Sequence, residues 1–190
     1  MGQRTYSRNR RKSITSIRFG VIRLRFSKIK DNDIANGLGV TMSFWTQGCP
    51  HHCKGCFNKE TWDFNGGKEF TQKDLKYIID NIDKNNIKRN LSILGGEPLC
   101  SQNIKGVISL CKEFKKVYPE KMIYLWTGYT IENLNEVQKE VLNYIDVLVD
   151  GKFEEEQKNL SIMLRGSSNQ RVIDVKQSLL SKNIALHEVC

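Results

Sequence analysis

Four short apolar runs, each ending in a polar or glycine-bearing turn and separated by helix-length stripes, constrain this chain most. The runs are Thr41-Met42-Ser43-Phe44-Trp45-Thr46, Leu91-Ser92-Ile93-Leu94, Ile123-Tyr124-Leu125-Trp126 and Val147-Leu148-Val149. Each has the length of a buried strand. Leu75, Ile78, Ile79 and Ile82 recur at helical spacing between the first two, with Thr71 and Asp74 placed as a capping pair. Ile104, Val107, Ile108, Cys111 and Phe114 make the next stripe, and Ile131, Leu134, Val141, Leu142 and Ile145 predict a third helix. Strands alternating with helices imply parallel crossovers and an α/β fold. Two architectures fit: an open doubly wound sheet, or a curved, mostly parallel sheet forming an incomplete (β/α) barrel. An alternating strand at Val21–Ile29 precedes the pattern, and Ile184-Ala185-Leu186-His187 is a candidate edge strand.

In both architectures ligands gather at the carboxyl ends of the strands. There the sequence places Cys49-Pro50-His51-His52-Cys53-Lys54-Gly55-Cys56, then Gly95-Gly96-Glu97-Pro98, Thr127-Gly128-Tyr129 and Asp150-Gly151-Lys152. The C-x3-C-x2-C spacing supplies three thiolates from one loop. Structural zinc wants four protein ligands, so a zinc knuckle would need His51 or His52 to close a crowded tetrahedron. A 4Fe–4S cluster held by three cysteines keeps one iron open. A Gly-Gly-Glu-Pro segment alone is only a turn.

Composition narrows the classes. The 190 residues carry a net charge of +9, yet residues 1–30 hold ten basic and no acidic side chains, and the other 160 hold 20 basic and 21 acidic. The basicity belongs to an N-terminal arm, taken as residues 1–20, ahead of a single domain over 21–190. A solvated arm, a nucleic-acid contact and a transit-like extension all share that composition. Nucleic acid is not expected as a partner, since the body is nearly neutral. No run of 18 apolar residues is present, so no membrane span is expected. Six unevenly spaced cysteines do not read as a disulfide framework and suit a reducing cytoplasm. Cys111 falls on a helix's apolar face and reads as a small buried hydrophobe, Cys100 as a buried thiol, and Cys190 as a chain end. Residues 153–163 read as a charged surface segment. Arg165-Gly166-Ser167-Ser168-Asn169-Gln170-Arg171 reads as a polar connection whose donors also suit a carboxylate or a partner.

C-x3-C-x2-C followed by Phe57, together with Gly95-Gly96-Glu97-Pro98, resembles the radical S-adenosylmethionine enzymes. Asn58-Lys59-Glu60-Thr61-Trp62, Trp126-Thr127-Gly128-Tyr129, Val149-Asp150-Gly151-Lys152-Phe153 and Arg165–Gln170 narrow this to the activating proteins of anaerobic ribonucleoside-triphosphate reductase. The resemblance runs from about Phe26 to about Val172. It implies a curved, incomplete barrel, with Cys49, Cys53 and Cys56 as ligands of a 4Fe–4S cluster and S-adenosylmethionine on the open iron. Reductive cleavage of that cosubstrate would give a 5′-deoxyadenosyl radical, which would take a hydrogen from a backbone glycine of the reductase's large subunit.

By the same resemblance, Gly95 and Gly96 would let backbone carbonyls reach the cosubstrate's ammonium, with Glu97 adding a carboxylate. Gly55 and Phe57 would lie at the adenine, and Cys56 between them would count among the cofactor-binding residues. Thr127, Asp150 and Lys152 are candidates for ribose or carboxylate contacts, argued from their place on the rim. A low-potential donor such as flavodoxin or ferredoxin would supply the electron. An activase of another glycyl-radical enzyme, or another small enzyme of the superfamily, is the alternative reading; a non-catalytic carrier or zinc module is the rival from another class.

Overall fold

The computed structural model describes residues 23–188, and the basic arm, Val21, Ile22 and Cys190 lie outside that range. Seven strands form one open sheet: β1 Arg25–Asp33, β2 Thr41–Thr46, β3 Lys68–Glu69, β4 Asn90–Gly95, β5 Ile123–Trp126, β6 Val147–Asp150 and β7 Arg171–Asp174. Their spatial order is β3-β1-β2-β4-β5-β6-β7. The four runs read from the sequence are the parallel core, β2-β4-β5-β6. β1 and β7 pair antiparallel on either side of it, and β3 pairs antiparallel with β1 at the edge.

Period-two alternation gives the two faces different neighbours. Met42, Phe44, Leu91, Ile93, Ile123, Leu125, Leu148 and Ile173 join the large core, into which α1 (Gln72–Asn81) sends Leu75, Ile78 and Ile79, and α2 (Ile104–Val117) sends Val107, Leu110, Cys111 and Phe114. The opposite face carries Tyr124, Val147, Val149 and Val172, packed by Leu38, Met122, Trp126 and Leu164. The large helices therefore cover one face, and loops close the other. The core strands are also added in one direction, β2 to β6, without the reversal of order that defines a doubly wound sheet.

The capping pair forms as read: Asp74 Oδ2 accepts from Thr71 N at 2.8 Å and from Thr71 Oγ1 at 2.6 Å. The third helix does not run through. Ile131–Asn133 is a 3-10 turn, Leu134 is extended, and Asn135 restarts the chain as N-cap of the short α3, Glu136–Lys139. Asn135 Oδ1 accepts from Gln138 N at 3.0 Å, so a side chain that competes with the helical backbone breaks the stripe. After β7 comes α4, Val175–Ser181. The expected edge strand is a single bridge, Ile173 to Leu186, flanked by His187 N donating to Val172 O at 2.8 Å. None of the described helices is long and apolar enough to cross a membrane.

Candidate metal centre

Strand register brings the motifs together. Thr46 pairs with Gly95, so the cysteine loop after β2 and the glycine turn after β4 emerge side by side. Ile93 pairs with Leu125, and Trp126 with Val149, which puts Thr127 and Asp150 at the same end. The junction is close-packed: Glu97 N donates to Gly48 O at 2.8 Å, and a Cβ on Gly96 would stand 2.5 Å from that same oxygen. Asn103 Nδ2 braces it from α2's N-terminus, donating to Gln47 O at 2.9 Å and to Glu97 O at 3.0 Å.

A cavity of about 450 Å³ opens on the sheet face that the large helices leave free. Cys49, Cys53 and Cys56 all reach its wall, with Gly95, Gly96, Phe57 and Thr127. Burial pushes the Cys49 thiol up to about 11 and raises Cys53 as well, aided by the neighbouring Cys56. A metal bound through these thiols would have to displace their protons. His51 is tied to Glu97 at 2.8 Å, and His52 stacks on Trp62 with ring centroids 4.6 Å apart. Among the described residues no three His, Cys, Asp or Glu side chains sit close enough to share one ion. The donor set fits an iron–sulfur cluster, whose cysteines each bind a separate iron.

The other expected site residues divide. Gly55 is overlaid by Glu155, whose Oε1 would lie 2.6 Å from a Cβ there. Phe57, half exposed, sets its edge against Phe153 at the mouth, with centroids 5.0 Å apart. Glu97 is in place but occupied: Oε1 accepts from Leu99 N and Thr127 Oγ1 at 2.8 and 2.7 Å, Oε2 from Gly128 N at 2.7 Å and from His51. Asp150 is fully buried and bound to Arg171, whose Nε donates to Oδ1 at 2.9 Å, while Ile131 N donates to Oδ2 at 2.8 Å. It fastens β6 to β7 and does not line the cavity. Lys152 is exposed and also outside the wall.

Residues 153–163 are more than a charged surface. Phe153, Leu160 and Ile162 line the cavity, and Leu164 follows them, its carbonyl held by Trp126 Nε1 at 2.7 Å. Their apolar spacing among charges was the available signal. The polar connection after them is knitted by Gln170, whose Oε1 accepts from Gly166 N at 2.9 Å and whose Nε2 donates to Gly151 O at 2.9 Å. Arg165 lines the cavity with its Nε buried and unpartnered, and among the described residues its guanidinium makes no ion pair. Trp62 and Trp45 also line the wall; the sequence motif held the first, and nothing singled out the second.

Comparison with known proteins agrees with this geometry. Residues 35–173 match the family model described as a 4Fe-4S single cluster domain. The chain is 43% identical over 141 residues to the anaerobic ribonucleoside-triphosphate reductase-activating protein of Escherichia coli strain K12, covering 74% of this chain and 92% of that protein. It is 43% identical over 139 residues to the Vibrio cholerae protein of that name, covering 73% and 90%. The enterobacteria phage T4 protein of that name is 38% identical over 151 residues, covering 78% and 93%. Matches of this length and identity make this chain a member of the anaerobic ribonucleoside-triphosphate reductase-activating protein family.

Proposed function

We propose that the chain activates an anaerobic ribonucleoside-triphosphate reductase by forming a glycyl radical on it. The observation that carries this reading is the convergence of three thiols and the Gly95-Gly96 turn on one cavity. The sheet winds one way with its free face hollowed, which supports an incomplete barrel of the radical S-adenosylmethionine type.

Cys49, Cys53 and Cys56 would hold a 4Fe–4S cluster, leaving one iron for the amino and carboxylate groups of S-adenosylmethionine. A cluster bound there and reduced by an external donor would supply the one electron needed to cleave the cosubstrate's sulfonium–carbon bond, the chemistry that leads to hydrogen abstraction from a glycine. The protein's part is orientation and exclusion of water. Gly95 and Gly96 offer carbonyls to the ammonium. Phe57 flanks the adenine, with Phe153 closing the mouth over it, while Gly55, outside the wall, gives Glu155 room to lie over the loop. Arg165, whose Nε is buried without a partner among the described residues, meets the carboxylate. Glu97 acts from behind the wall, and Thr127, on the wall, commits its hydroxyl to Glu97. An electron donor of flavodoxin or ferredoxin type completes the system.

Anaerobically reduced protein, mixed with S-adenosylmethionine and the reductase's large subunit, is expected to raise a glycyl signal in electron paramagnetic resonance. Cosubstrate cleavage without that signal would contradict the pairing and favour an activase of another glycyl-radical enzyme.

A further inference from the structure

His51 sits inside the cysteine loop, where a histidine invites reading as a metal ligand. Its surroundings give it another task. Gly48 N donates to Thr61 O at 2.7 Å and Cys49 N to Trp62 O at 3.1 Å, so the start of the loop is pinned by backbone. Beyond that, Pro50 to His52 has one hydrogen bond to another element among the described residues: His51 Nε2 to Glu97 Oε2, 2.8 Å, with both side chains nearly buried. The next residue, His52, has φ of +48°, a conformation L residues rarely hold without restraint.

Three further facts converge on this contact. Gly128 N donates to the same Oε2 at 2.7 Å, so the loop after β5 is tied to the same carboxylate. A Cβ on Gly128 would stand 2.5 Å from His51 Cδ2, so the glycine makes room for the imidazole. Tyr129 sets its ring edge-on to His51 with centroids 4.7 Å apart. A glutamine in place of Glu97 would turn an NH2 toward a backbone N–H in either orientation, Leu99 N on one side and Gly128 N on the other.

We propose that His51 is a positioning residue, a latch that clamps the cysteine loop through Glu97 onto the loop after β5 and so sets where the cluster sits. Gly128 is the clearance the latch needs. The inference rests on the proposed function only in taking the loop to carry a cluster; it needs neither the reductase nor radical formation.

The test is the rate at which anaerobically reconstituted protein gives up iron to a chelator, read beside the thermal midpoint of each variant. His51→Leu keeps the bulk and loses the donor; His51→Gln keeps a donor. His51→Leu is expected to release iron about tenfold faster, with His51→Gln within about threefold of the parent. Gly128→Ala should match His51→Leu, and the double variant should be no faster than either single one, since both act on one contact. Equal release by the Leu and Gln variants would overturn the latch. So would additive effects of the two single substitutions, or a lower thermal midpoint with unchanged release.

Discussion

Gly96→Ala should separate the two halves of the metal centre by contact alone. Gly96 does not adopt a positive φ, so the substitution carries no left-handed backbone penalty. Its Cβ would stand 2.5 Å from Gly48 O, 3.0 Å from Gly48 C and 3.1 Å from Gly48 N, all backbone atoms with no rotamer to escape into. Restoring ordinary contact needs a shift of roughly 1 Å. That shift breaks the 2.8 Å bond from Glu97 N to the same carbonyl. Overpacking of this kind costs about 1–3 kcal/mol, and an orphaned buried N–H about 1–3 kcal/mol more. A loss of roughly 2–6 kcal/mol is therefore expected in urea unfolding of the cluster-free protein.

A Gly96→Ala protein within about 0.5 kcal/mol of the parent would refute the reasoning that packs the glycine turn against the cysteine loop.

Three more outcomes can be checked directly. Arg165→Ala should weaken S-adenosylmethionine binding to the cluster-loaded protein by about tenfold or more in calorimetry, leaving iron content unchanged; unchanged affinity would remove Arg165 from the carboxylate contact. In the cluster-free protein, a Cys49 thiol moved from 9.0 to about 11 should be alkylated about a hundredfold more slowly than an unshifted thiol near pH 8, the rate rising with pH toward 11. Hydrogen bonds from Arg171 hold the Glu132 carboxyl down at about 2, so its stabilisation is complete above its ordinary 4.5 and fades as pH falls from there toward 2. Glu132 is half exposed, so the amount is no more than about 1 kcal/mol; Glu132→Gln should flatten that part of the pH profile of urea midpoints.

The elements most legible in the sequence are those whose partners are local or that are buried on both faces. β2, β4, β5 and β6 read as apolar runs because both faces are covered, and Thr71 with Asp74 announced α1 because capping is decided within four residues. The third helix misread because Asn135 sits in an otherwise helical stripe and captures the backbone for a cap. β3 was invisible: two exposed residues, Lys68 and Glu69, become a strand only by pairing with Phe26 and Arg25, about forty positions away. At the site, the cysteines, Gly95, Gly96 and Phe57 reach the cavity because strand order delivers them there. Asp150 shares that strand end, yet Arg171, a cation on the neighbouring antiparallel strand, takes its carboxylate. Position along one strand cannot reveal what arrives from the next.

The account depends on three thiolates, and no fourth side chain, holding the cluster. Iron and sulfide content after anaerobic reconstitution, compared across single alanine variants of Cys49, Cys53, Cys56, Cys100 and Cys111, measures this directly. About four irons per chain are expected in the parent and in the Cys100 and Cys111 variants, with loss of the intact cluster in each of the other three. Cys100 is the demanding control, because it is a buried thiol, pushed up to about 11 by burial first and by the nearby Glu97 and Cys49 as well. Loss of the cluster on removing Cys100, or full retention on removing any of Cys49, Cys53 and Cys56, would contradict the account.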